Sequence, residues 1–240
     1  MIAADRPLQI GSLLFPGIDQ IDLTGPFEVL SRIPNSTLRI YAQSLEPVED
    51  VRGLRLIADA RLEEAPQLDI LHVPGGYGQE ALMEDGALLQ WLRDQAAGAL
   101  CLFPVCTGAL LCGAAGLLRG KRVTTHWTAH HLLPLFGAIP VDARVVEDGG
   151  IVSAAGVTAG IDGALTVAAR VRGEAAAQAI QLYMEYAPEP PFDAGTPERA
   201  PAAVAAQVRG NAAAITVQRE ATARRIAVTL GISATPTAPR

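Results

Sequence analysis

Cysteine is scarce in this chain of 240 residues. There are three, an odd number, so no disulfide framework is implied and a reducing compartment is expected. Charge is scarce as well. Only 18% of residues are charged, and 19 basic against 25 acidic side chains leave a formal net charge of −6. That mildly acidic balance argues against a surface that tracks nucleic-acid phosphates, so no nucleic-acid partner is expected. Long apolar runs are missing too. Stretches such as Ala99 to Val105 fall far short of the ~20 residues that span a bilayer, so no membrane partner is expected. Met1 to Pro7 lacks the basic and apolar regions of a signal peptide, and the expected address is the cytoplasm. No Cys/His cluster has zinc spacing, and there is neither a Walker-type glycine loop nor a GxGxxG after a strand. No metal and no cofactor are therefore expected.

What remains is apolar: half of the residues are hydrophobic, too many for a disordered chain. One compact domain over residues 1–230, including a C-terminal helical extension, is the default at this length. The Pro/Thr-rich tail, 231–240, is expected to be disordered. No internal repeat is visible.

The apolar runs are short and continuous: Ile10 to Phe15, Leu38 to Ala42, Leu68 to Val73 and Ala99 to Val105. Bounded by Gly and Pro, they read as buried strands of a parallel sheet. Between and after them the spacing predicts helices over 85–97, 109–117, 128–136, 159–171 and 174–186. Five prolines (Pro188, Pro190, Pro191, Pro197, Pro201) mark a loop. Residues 202–226 are Ala-rich and predict one helix that faces solvent or a partner. Strands alternating with helices give an α/β sandwich with a mainly parallel sheet and helices on both faces.

In such sheets ligands gather at the C-terminal ends of the strands. Three segments sit there: Pro16 to Pro26, Pro74 to Gly78, and Cys106-Thr107-Gly108. Cys106 follows a buried strand and precedes small residues that open a helix. That is the pattern of a nucleophile elbow, where a helix N-terminus favours a thiolate. The bland alternative is a buried structural cysteine, which suits Cys101 in mid-strand and Cys112 in mid-helix. Pro74-Gly75-Gly76 can offer bare amides to a developing negative charge, or can simply end a strand. Asp22, flanked by Ile21 and Leu23, either caps a short helix beginning near Pro26 or exchanges a proton with the thiol. Asp19 competes for that role from a more exposed turn. His126 is read first as a satisfied, half-buried histidine and second as a base for the thiol. His72 belongs to a strand, and adjacent His130 and His131 point different ways.

VPGGYG, PVCTGALLCGAAGLLRGKRVTTHW, AAGVTAGIDGALTVA and YAPEPPFDAG together resemble the DJ-1/PfpI superfamily, and within it most closely the isocyanide-hydrating branch. The resemblance runs from Ile10 to about Arg225. It implies a flavodoxin-like sandwich, a homodimer, and Cys106 as nucleophile. It also implies that Asp22 stands where many members carry a Glu, that Thr107 takes the place of the His found in protease-like and deglycase-like branches, and that Val157 shapes the pocket. The activity it implies is addition of water to a small isocyanide through a covalent thioimidate on Cys106. Thr107, Gly75 and Gly76 would then steady developing charge. The rivals are a glyoxalase or deglycase on the same scaffold and a non-catalytic redox-sensing or ligand-binding protein. The transcription-regulator branch shares PGG, CTG and THW but adds a helix-turn-helix domain for which this chain is too short.

Overall fold

The computed structural model describes residues 5–233. Met1 to Ala4 and most of the 231–240 tail lie outside the described residues. The strands are β1 (Leu8–Leu13), β2 (Ser36–Ala42), β3 (Val48–Glu49), β4 (Arg55–Leu56), β5 (Ala60–Arg61), β6 (Ile70–Val73), β7 (Cys101–Pro104), β8 (Arg122–Val123), β9 (Ile139–Pro140), β10 (Val145–Asp148) and β11 (Ile151–Ala154). Seven of them form one sheet in the order β10-β11-β7-β6-β1-β2-β5. Its pairings are parallel except for β10 against β11. The pairs β3–β4 and β8–β9 stand apart as small ladders.

The helices are α1 (Gln20–Leu30), α2 (Gln79–Leu82), α3 (Gly86–Gly98), α4 (Gly108–Ala114), α5 (Ala159–Arg172), α6 (Glu174–Tyr183), α7 (Ala202–Asn211) and α8 (Ala213–Thr229). They cover both faces of the sheet, which explains the unbroken apolar runs. Ile70, Cys101 and Phe103 pack towards Val29, Val167 and Ile180 of α1, α5 and α6. Their neighbours Leu71 and Leu102 pack the other way, with Leu88, Leu111 and Ile226 of α3, α4 and α8. A strand buried on both sides has no polar face to show in its sequence. The expected α/β sandwich is what the chain forms. Among the described residues no helix is long and apolar enough to cross a membrane.

Three local expectations change. The helix holding Asp22 does not begin near Pro26. It begins at Gln20, Asp19 is its cap with its carboxylate accepting the Ile21 amide at 3.2 Å, and Pro26 lies inside it. The stretch 128–136 is a 3-10 segment, His130–Phe136, containing Pro134, which lacks the donor an α-helix needs there. The single Ala-rich helix is two, broken at Ala212 just after Gly210 and Asn211, both weak helix formers. The second of the two does not simply face solvent: Arg219, Thr222, Ala223, Ile226 and Ala227 of α8 are buried.

Candidate active site

Four parallel strands, β1, β6, β7 and β11, end at the same edge, and the segments that follow them build one site. After β1 comes the turn capped by Asp19, then α1, whose first turn carries Asp22. After β6 comes Pro74-Gly75-Gly76. After β7 come Val105 and Cys106, with Thr107 capping α4. After β11 come Gly156 and Val157, just ahead of α5.

Cys106 occupies a left-handed backbone conformation, φ 54°, which is unusual for a side-chain-bearing residue and marks the tight elbow between strand and helix. Its amide donates to the Ala154 carbonyl at 3.0 Å, and its carbonyl accepts the Thr125 hydroxyl at 2.6 Å. The elbow works because of Gly108, where a Cβ would stand 2.0 Å from the Val73 carbonyl oxygen. Val157 is also forced to positive φ, 28°, which is rarer still for a β-branched residue.

Asp22 is fully buried. Its Oδ2 accepts the Gly75 amide at 3.0 Å, and its Oδ1 has no partner among the described residues. Burial, reinforced by the charge of Asp19, raises its carboxyl to about 7; the Cys106 thiol, the Gly75 amide and Arg219 pull the other way. Gly75 has no room for a side chain: a Cβ there would stand 2.6 Å from the Thr107 nitrogen and 2.9 Å from Asp22 Oδ2. Gly75 and Thr107, 32 positions apart, thus meet because glycine lets the backbones touch.

The Cys106 thiol differs from its sequence reading in one respect. Burial, and then the Asp22 charge, push it well above the ordinary thiol value. The opposing influences are the amides of Val157 and Thr107 and the Arg219 charge. α4 is short, Gly108–Ala114, and its N-cap Thr107 directly follows Cys106. Cys101 is pushed up to about 12 by burial, and Cys112 is raised by burial as well. Both are wholly buried in the core, as their positions predicted.

The two glycine amides are not free donors. Gly75 N–H is given to Asp22, and Gly76 N–H to the Thr107 hydroxyl at 3.1 Å. Gly75 and Gly76 hold the carboxyl and the hydroxyl in place, while the amides facing the sulfur belong to Thr107 and Val157. Thr107 Oγ1 also donates to the Gly76 carbonyl at 3.3 Å.

A cavity of about 660 Å³ opens over these groups. Cys106, Thr107, Gly76, Val157, His126 and Tyr77 line it, together with Asp19 and Asp50. His126 and Val157 also line a neighbouring cavity of about 560 Å³. His126 Nδ1 is bonded to the Thr128 hydroxyl at 2.8 Å, and burial, then Arg219, lower its pKa to about 4. It is therefore a neutral wall residue with its ring nitrogen engaged. His72 lies beneath the site, bonded through Nδ1 to Ser12 Oγ at 2.9 Å and lowered by burial to about 3. Among the described residues no group of three or more His, Cys, Asp or Glu could hold a metal.

Arg219 is the functional-site residue that the sequence reading missed. It is 3% exposed and lines the cavity from α8. Its signal was faint: an arginine at the head of the buried stripe that continues through Thr222, Ala223, Ile226 and Ala227.

Comparison with known proteins agrees with this geometry. The model of the DJ-1/PfpI family matches residues 9–170. An isonitrile hydratase of Pseudomonas putida is 52% identical over 206 residues, 86% of this chain and 90% of that protein. The crystal structure of a ThiJ/PfpI family protein from Pseudomonas syringae superposes with a TM-score of 0.89 at 38% identity, covering 92% of this chain and 93% of that one. The transcriptional regulator CdhR of Pseudomonas aeruginosa is 30% identical over 67% of this chain, which spans 50% of the regulator. The elbow cysteine, the glycine turn beside it and these matches carry one conclusion: the chain belongs to the DJ-1/PfpI family.

Proposed function

We propose that the protein hydrates isocyanides, converting R–N≡C and water into the N-substituted formamide. The observation that carries this reading is the likeness to the Pseudomonas putida isonitrile hydratase, which extends through most of both chains. The site supports a cysteine mechanism. As the Cys106 sulfur attacks the terminal carbon, Asp22 takes the thiol proton and delivers it to that same carbon, giving the thioimidate R–N=CH–S–Cys106. Water then adds across the C=N bond, hydroxyl to carbon and proton to nitrogen. The tetrahedral adduct loses its hydroxyl proton through Asp22 to the departing sulfur, which releases R–NH–CHO and restores the thiol. A carboxyl near 7 is matched to such two-way traffic at neutral pH. The amides of Thr107 and Val157 face the sulfur and steady its charge. Thr107, Gly76 and Val157 line the pocket, while Gly75 holds Asp22 through its amide. No cofactor takes part. The same reading makes the enzyme a cytoplasmic homodimer acting on a small molecule, without nucleic-acid or membrane partners.

The test is formamide formation from p-nitrophenyl isocyanide by the wild type beside Cys106→Ser. Turnover by the wild type and background rates in the variant are expected. An active Cys106→Ser variant would falsify the mechanism, and an inactive wild type the substrate class.

A further inference from the structure

We infer that Arg219 is the charge-balancing and positioning residue of this site, supplied by a helix beyond residue 170, where the family match ends. Its guanidinium donates through Nε to Gln79 Oε1 at 2.9 Å, and through one terminal nitrogen to the Gly76 carbonyl at 2.8 Å and to Thr107 Oγ1 at 3.4 Å. Every one of those acceptors is neutral. Among the described residues no carboxylate lies within ion-pair distance of it. The nearby carboxyl of Glu80 accepts the Thr222 hydroxyl at 2.6 Å instead. The Tyr77 ring stands 5.8 Å from the guanidinium carbon.

A buried cation with only neutral partners is strongly disfavoured unless an anion forms close by. The site holds two groups that can become such an anion, the Cys106 thiol on the cavity wall and the buried Asp22 carboxyl beside it, each disfavoured as an anion by burial. Arg219 faces both, so one negative charge passed between sulfur and carboxyl is balanced wherever it rests. Of the other titratable groups around the site, Asp22 comes from α1 and Asp19 caps it, Tyr77 and Glu80 come from the segment after β6, His126 from the segment after β8, and Asp50 and Arg52, which also line the cavity, from the segment after β3. The positive charge that favours the thiolate is that of Arg219. The contacts to Gly76 and Thr107 add a positioning role, since those two residues form the wall beside the nucleophile.

The inference relies on the proposed reaction only for what the site turns over, so the test reads the thiol itself. Alkylation of Cys106 by iodoacetamide is followed against pH by peptide mass spectrometry. Arg219→Gln keeps a donor for the Gly76 carbonyl but removes the charge. Its alkylation midpoint is expected to rise by about one unit, slowing reaction at pH 7 about tenfold. Arg219→Lys restores the charge and is expected to stay within about half a unit of the wild type. Circular dichroism melts establish that each variant is folded. A residue that merely ties α8 to the sheet would lower the melting temperature without moving the midpoint. A wild-type midpoint in Arg219→Gln, or an equal shift in Arg219→Lys, overturns the inference. Because no isocyanide enters the assay, failure of the hydratase reading would leave this result intact.

Discussion

The backbone amide of Gly75 donates to Asp22 Oδ2 at 3.0 Å, tying the turn after β6 to the first turn of α1. This contact fixes a fully buried carboxyl beside the Cys106 thiol, while the other oxygen, Oδ1, is left unpartnered among the described residues. A carboxylate in that setting is poorly solvated, so burial holds the group near 7 rather than in the ordinary range. The free lone pairs are also what a transferred proton needs. In the proposed mechanism, stability is given up at this position for proton transfer.

Asp22→Asn tests that exchange. Turnover is expected to fall by about 10²–10⁴, the usual contribution of a positioned acid–base group. Stability is expected to move the opposite way. The folded-state pKa of Asp22 is raised, so the group's stability is fully present below about pH 4 and is lost as pH rises towards 7. Asparagine cannot ionise, and the variant should be more stable than the wild type at pH 8 by on the order of 1–3 kcal/mol. Thermal melts at pH 8 and pH 4 check this: the gain should vanish at the lower pH. An equal gain at both would locate the effect elsewhere.

The two histidines next to the site, His72 and His126, slope the other way. Burial lowers His72 to about 3 and His126 to about 4, so both stay neutral in the fold while the unfolded chain protonates them below about 6.5. Their contribution is complete above that pH and shrinks as acid is added towards 4. Two protons are then bound by the unfolded chain, against one held by folded Asp22. These three groups give a net loss of about 1.4 kcal/mol per pH unit between 6 and 4.5. In Asp22→Asn the counterweight is gone, and the slope from the same groups should double. Urea denaturation across that interval measures both slopes, and parallel lines would contradict the assignment of Asp22.

How far the sequence foretold this site depended on sequence distance and on which group of a residue acts. Ile70 and Leu71, consecutive apolar residues that point to opposite faces, announced a strand buried on both sides even though Asp69 and His72 flank them. The C-terminal ends of such strands then brought Asp22, Gly75 and Cys106 to one edge. Asp19, and not Asp22, caps the helix, because a cap is settled by backbone geometry at one residue. The glycine amides were legible as exposed donors but not as occupied ones: their acceptors lie 53 and 31 residues away. Val157 acts through its backbone, which no side-chain pattern reports. Arg219 reaches Gly76 across 143 residues from an alanine-rich helix whose composition suggested a face towards solvent or a partner, not towards this site.

Gly75→Ala should disable the site more than it unfolds the protein. The added carbon would meet the Thr107 nitrogen at 2.6 Å and Asp22 Oδ2 at 2.9 Å, and the first of these belongs to backbone that cannot turn aside. Asp22 must move off the Gly75 amide, so turnover falls at least tenfold while stability drops by about 1–3 kcal/mol. Gly86→Ala is the matched control. It opens α3, nothing lies within 4 Å of the new carbon, and stability should hold or rise by a few tenths of a kcal/mol with turnover unchanged. Equal effects of the two substitutions would show that the close approach at Gly75 is unimportant.

Thr107 separates the hydroxyl from the methyl. Its Oγ1 accepts the Gly76 amide at 3.1 Å and meets Arg219 at 3.4 Å, all within a buried wall. Thr107→Val preserves the shape but strands the Gly76 amide, which costs about 1–3 kcal/mol when no partner replaces it. It also removes one of the three acceptors of the Arg219 guanidinium, so turnover should fall with stability. Thr107→Ser keeps the oxygen and should recover most of both. Denaturation curves and formamide assays on the pair decide the matter. If serine behaved like valine, the methyl group would be the working part of the side chain, and the hydrogen-bonded wall linking Gly76, Thr107 and Arg219 would carry neither property.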